Sequence, residues 1–145
     1  MPQLTLEQAQ TIIITALRHG TERKFQPLAV AVLDERGVPK AFAAQDGTSL
    51  RRYEIASGKA HGALSMGIGS RALAKRAATT PHFIAAVTHA VGGSLIPVPG
   101  GVLIRTADRA IIGAVGISGD NSDNDEAAAI AGITAAGLTA DPGAG

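Results

Sequence analysis

Cysteine is absent from the 145 residues, which removes disulfides, thiolate nucleophiles and cysteine-ligated zinc or iron–sulfur centres. Tryptophan is absent too, and aromatic residues make up only 3% of the chain, so packing must rest on Ala, Val, Ile and Leu set against closely approaching backbone. No sign of charge dominates. The 13 basic residues are nearly matched by 12 acidic ones, leaving a formal net charge of +1 and no basic stripe for nucleic acid or polybasic anchor for a membrane. No apolar run is long enough to span a bilayer, and no charged-then-apolar signal pattern opens the chain. The expected setting is therefore cytoplasmic, and the expected partners are small molecules and other subunits.

What is present is a chain with 46% apolar and 17% charged residues and 18 glycines, sufficient for one ordinary domain. Surfaces of glycine and alanine dock tightly but bury little area per residue, so a domain of this composition is expected to lean on subunit contacts. Thr5-Leu6-Glu7-Gln8 reads as a capping box that opens a first helix, with apolar positions at three- and four-residue steps and Gly20 as its stop. Residues 28–33 and 38–44 predict a hairpin across Asp34-Glu35-Arg36-Gly37. Asp46-Gly47-Thr48-Ser49 predicts a cap for a second helix from about Leu50, on which Lys59 sits among small neighbours. Two further helices follow, the second opened by Pro81. Residues 94–98 predict an irregular third strand beside Pro97 and Pro99, followed by strands at 102–106 and 111–117. A last helix begins near Ser122 or Asp123 and fades beyond Leu138, leaving residues 139–145 as a frayed tail. No strand–helix–strand repeat demands parallel pairing. The pattern predicts an α/β (α+β) fold, a mostly antiparallel sheet of about five strands with helices on both faces, in a single domain over 1–138.

Few motifs carry chemistry. Gly113, Gly116 and Gly119 fall three apart, which is neither a dinucleotide fingerprint nor a phosphate loop. Pro99-Gly100-Gly101 is either a turn into a strand or a pair of bare amides able to hold an anion or carbonyl oxygen. His82 and His89 share a helical face, and His61 lies two residues from Lys59, but no metal-ligand spacing accompanies them, so no metal site is assigned. Asp123, Asp125 and Glu126 suit a helix start. If Lys59 converges with Asp125 or Glu126, the result is a proton-transfer pair, an anion anchor, or a buried ion pair joining two helices.

Taken in order, residues 29–34 with Gly37, then Asp46-Gly47, Ile55-Ala56 with Lys59-Ala60, Pro99-Gly100-Gly101-Val102, Gly113 to Gly119 and Asp125-Glu126 resemble the GlcG/HbpS family, which includes PduO C-terminal-domain-like proteins. The resemblance covers nearly the whole chain. It implies a profilin-like fold with a five-stranded antiparallel sheet and assembly as dimers, tetramers or octamers. It also implies a small-molecule pocket, with heme or a related planar anionic molecule as ligand, and Asp46, Lys59, Pro99, Gly100, Gly101, Gly119, Asp125 and Glu126 as ligand-binding positions. Lys59, Arg71 or Arg76 could meet propionates. Two rivals stand beside the binding protein. One is a small enzyme of organic-acid or aromatic catabolism in which Lys59 and Asp125 are catalytic; the other is a structural oligomeric module.

Overall fold

The structure is a computed structural model and describes residues 2–143. Helix α1 (Leu6–Glu22) starts at the expected box: Thr5 Oγ1 accepts from the Gln8 amide at 3.0 Å, and Gln8 Oε1 accepts from the Thr5 amide at 3.0 Å. Gly20 does not stop the helix. It lies inside α1, where a Cβ would come within 2.8 Å of Leu28 Cδ1, so the missing side chain serves packing.

Strands β1 (Ala29–Asp34) and β2 (Pro39–Ala44) form the expected hairpin, with Gly37 at φ +81° in the turn. Helix α2 (Arg52–Met66) begins without a side-chain cap, since the side chains of Asp46 and Ser49 accept from none of its N-terminal amides, and ends at a left-handed Gly67. Helices α3 (Ser70–Thr79) and α4 (Pro81–Ala90) follow, then strands β3 (Gly101–Arg105) and β4 (Ile111–Ser118), helix α5 (Ser122–Ala135) and strand β5 (Thr139–Asp141). The cap of α5 is Asn121, whose side chain accepts from the Asn124 amide at 2.9 Å.

All strand pairs are antiparallel, in the order β2-β1-β4-β3-β5. The unbroken apolar run in β1 and β4 matches their central places, buried on both faces. Val30, Val32, Val102, Val115 and Ile117 pack with Ile12 and Ala16 of α1 and Ala129 and Ile133 of α5. Leu33, Leu103 and Ala114 point the other way, onto Ala60 and Ala63 of α2. On that side glycine decides how close the layers come: a Cβ at Gly116 would lie 1.8 Å from the Ala56 carbonyl oxygen.

Two expectations about strands are corrected. Residues 94–98 form no strand; the Ile96 amide donates to the Gly58 carbonyl of α2 at 3.1 Å, and Leu95 is buried with Leu73 and Ile84. Pro97 and Pro99 lack the amide protons a ladder needs. The fifth strand comes from the expected tail: residues 139–141 pair with β3, and Asp141 meets Arg105 at 2.9 Å. Ala144 and Gly145 lie outside the described residues.

Candidate functional site

The end of β4 gathers most of the expected positions. Lys59 leaves α2 on its sheet-facing side and runs past Gly100 and Gly101, where the backbone is close enough that a Cβ at Gly100 would sit 2.8 Å from Lys59 Nζ. The ammonium donates to the Ile117 carbonyl at 2.8 Å and to Asp125 Oδ2 at 3.1 Å. The lysine thus reaches around the sheet end from the α2 layer to the α5 layer. Asp125 Oδ1 accepts from the Asp120 amide at 3.0 Å, so both carboxylate oxygens are engaged. Lys59 is 2% exposed and Asp125 1%. Burial pushes the lysine pKa down and the carboxyl pKa up, while each partner's charge pulls the other back toward ionisation. A buried, hydrogen-bonded pair of this kind joins two helices, one of the three outcomes open from sequence.

Glu126 faces elsewhere. Its oxygens accept from Arg71 of α3 at 2.9 and 3.2 Å, and Arg71 also meets Asp123. These two carboxylates hold the Arg71 guanidinium above its ordinary pKa range. Lys59 and Arg71, two of the three cations considered for propionates, are therefore already matched by acids of the same chain. The third, Arg76, is exposed and lies over the Phe83 ring. The bare-amide reading of the glycine loop changes too: the Gly101 amide donates to the buried Ser70 hydroxyl at 2.7 Å, and the Gly100 carbonyl accepts from Ile117. Pro99 is half-buried where this loop enters β3.

Asp46 and Gly119 flank Pro27 instead. A Cβ at Gly119 would lie 2.1 Å from the Pro27 carbonyl oxygen, and the exposed Asp46 borders an open hollow of about 560 Å³ with Phe25, Pro27 and Gln45. That hollow is shallow and polar. A better-shaped cavity, about 400 Å³, lies between the first turns of α2 and the segment after α4; Tyr53, Ile55, Ile96 and the glycines 58, 92 and 93 line it together with polar residues that include Glu54. Gly92 and Gly93 take φ of +86° and +93°, which lets the chain turn back over α2. Tyr53 meets Phe42 edge-on at 4.9 Å beside this cavity.

Sequence reasoning missed Arg52, Ser70, Ser118 and Asp120. Arg52 donates to the Ser49 and Ser118 hydroxyls at 2.9 Å each, and Asp120 accepts from the Gln26 amide at 2.6 Å. Serines carry no periodic signature, and most of these bonds join residues far apart in the chain, so no local pattern pointed to them. His82 and His89 lie on the exposed side of α4, and His61 Nδ1 lies 2.8 Å from the Ser94 carbonyl oxygen. Among the described residues no group of acids and histidines is placed to hold a metal.

A family model described as haem degrading protein HbpS-like matches residues 4–134. The chain belongs to the HbpS-like family. Among solved structures, HbpS is 30% identical to this HbpS-like chain, with a TM-score of 0.78 over 92% of this chain and 90% of that one. A PduOC:heme complex is 21% identical, with a TM-score of 0.83 over 94% of this chain and 97% of that one. A Klebsiella pneumoniae protein named ORFY, of the DUF336 family model, is 22% identical with a TM-score of 0.84, covering 94% and 93%. The last two show the shared fold. No curated protein matches the sequence.

Proposed function

We propose that this HbpS-like chain binds heme or a related planar, anionic small molecule and works as a homo-oligomer. The observation that carries the reading is the cavity of about 400 Å³ over α2, a volume within the usual range for small-molecule sites, in a member of a family described by its action on haem. Its lining suits part of such a ligand. Tyr53, Ile55 and Ile96 offer apolar contact, and the paired glycines leave room for a flat face against backbone. No histidine lines it, so iron ligation is assigned to no residue. The oligomer reading rests on α4, which contains no Asp, Glu, Lys or Arg yet exposes Phe83, Ala85, Ala86 and Ala90.

The family description favours a second reading, in which bound heme is degraded. Proton transfer by Lys59 and Asp125 has less support, since neither side chain borders either cavity.

Hemin titration followed at the Soret band tests the proposal. A saturable shift is expected, and Ser57→Trp, which fills the cavity from its helix wall, should abolish it without lowering Tm by more than a few degrees. A spectrum equal to that of hemin in buffer removes the heme reading. Full binding by the tryptophan variant moves the ligand away from α2.

A further inference from the structure

The sheet has two edges, and they differ. β5 is three residues long and is followed by Pro142, whose carbonyl accepts from the Arg71 amide at 3.3 Å, so the chain leaves that edge for α3. β2 runs for six residues at the other edge, and among the described residues no strand lies beyond it. The ladder shows which of its backbone groups are free. The Gln45 amide donates to the Leu28 carbonyl at 2.9 Å, and alternation along the antiparallel register turns the backbone of Ala43 and Ala41 toward β1 and that of Phe42 and Ala44 outward. Outward amides and carbonyls on a strand of this length are a template for another strand. Ala41 and Ala43 pack into the core on the α1 side, so Phe42 takes the opposite face, where its ring, 39% exposed, meets Tyr53 of α2.

The two ends of β2 carry opposite charges. Lys40 borders a hollow with Gln3 and Leu4 at the start of α1, and Asp46, just past the strand, borders another with Thr21 and Phe25 at the end of α1. Both are exposed, and neither forms an ion pair or side-chain hydrogen bond among the described residues. A strand with a cation at one end and an anion at the other complements itself when a second copy lies antiparallel to it, whereas parallel pairing sets like charges side by side. A two-fold axis at Ala43 places Lys40 opposite Asp46 of the partner subunit and Phe42 opposite Ala44 of the partner subunit, a large side chain over a small one. The same register lets the outward backbone groups of Phe42 and Ala44 exchange hydrogen bonds across the axis. Because β5 offers no comparable edge, this pairing closes at two copies.

We infer that β2 is an interface between two copies of this chain, which pair antiparallel along it into one continuous sheet. The contact is separate from the α4 face and stands without it. Light scattering of Ala86→Arg, which puts a charge on that face, keeps the two apart: this variant should still be a dimer. Within it, Lys40→Glu or Asp46→Lys sets two acids or two lysines opposite each other across the axis, and each should weaken dimerisation by about tenfold or more, while the two changes together should restore it. Hydrogen exchange reads the ladder itself. The Phe42 and Ala44 amides should be protected in the dimer and lose that protection in Lys40→Glu, while Ala41 and Ala43 stay protected in both. A monomeric Ala86→Arg chain, a dimer indifferent to Lys40→Glu, a double variant as weak as either single one, or fast exchange at Phe42 and Ala44 in the dimer overturns the inference. A dimeric mass in both wild type and Ala86→Arg supports β2 and removes the α4 contact alone.

Discussion

Lys59→Met would leave the Asp125 carboxylate buried with one backbone amide as its partner, and a buried charge stripped of its counter-ion costs about 3–5 kcal/mol. The folded-state pKa of Asp125, already raised by burial, would rise further without the lysine. A carboxyl raised in the folded state contributes stability below its unfolded pKa and loses that contribution as pH rises through the folded value. The deficit of Lys59→Met should therefore be smallest in acid and grow toward neutral pH, as urea unfolding at several pH values would show; a deficit independent of pH would contradict the buried pair. Asp120 gives the opposite sign. The Gln26 amide, then the Asn124 side chain and the Asn121 amide, lower its pKa, so its contribution is full above about pH 4 and is lost as pH falls through the lower folded value. Asp120→Asn should flatten the loss of stability on that acid side. Lys59 and Asp125 could each be singled out from sequence by their neighbours and position. Their meeting could not, because 66 positions separate them and no local pattern encodes which carboxylate a lysine reaches.

At the scale of elements, glycines that are alike in sequence do different work. Gly116→Ala would place a methyl 1.8 Å from the Ala56 carbonyl and force α2 off the sheet, a cost of about 3 kcal/mol or more. Gly92→Ala meets nothing within 4 Å and is penalised only for its positive φ, about 1 kcal/mol. Paired thermal melts should rank them in that order, and equal losses would show that α2 docks less tightly than the geometry implies. Local rules served well for the start of α1, the hairpin, α4 and the buried β4, where capping, turn and periodicity signals agree. They failed at residues 94–98 and 139–141. The 94–98 segment has the apolar content of a strand but is held by α2 backbone and a buried Leu95. The 139–141 segment has the small and polar residues of a frayed end but is stapled to β3 by pairing and by Arg105.

For the whole molecule, the exposed face of α4, a helix without Asp, Glu, Lys or Arg, predicts association between copies. Ala86→Arg should reduce the mass measured by light scattering while leaving far-UV CD unchanged; an unaltered mass would place any contact elsewhere. The sequence by itself determined the class of fold, its antiparallel sheet covered on both faces, and through an ordered set of short motifs the family. Those features are written in hydrophobic period, turn residues and caps, which act over a few neighbouring positions. Only the tertiary structure decided that Lys59 meets Asp125 while Glu126 takes Arg71, that the Gly101 amide is spent on Ser70, and that Arg52 meets the Ser49 and Ser118 hydroxyls. Each of those outcomes depends on which side chains arrive together at the end of β4. A charge finds its partner through distances of a few ångströms in space, and spacing along the chain does not record them.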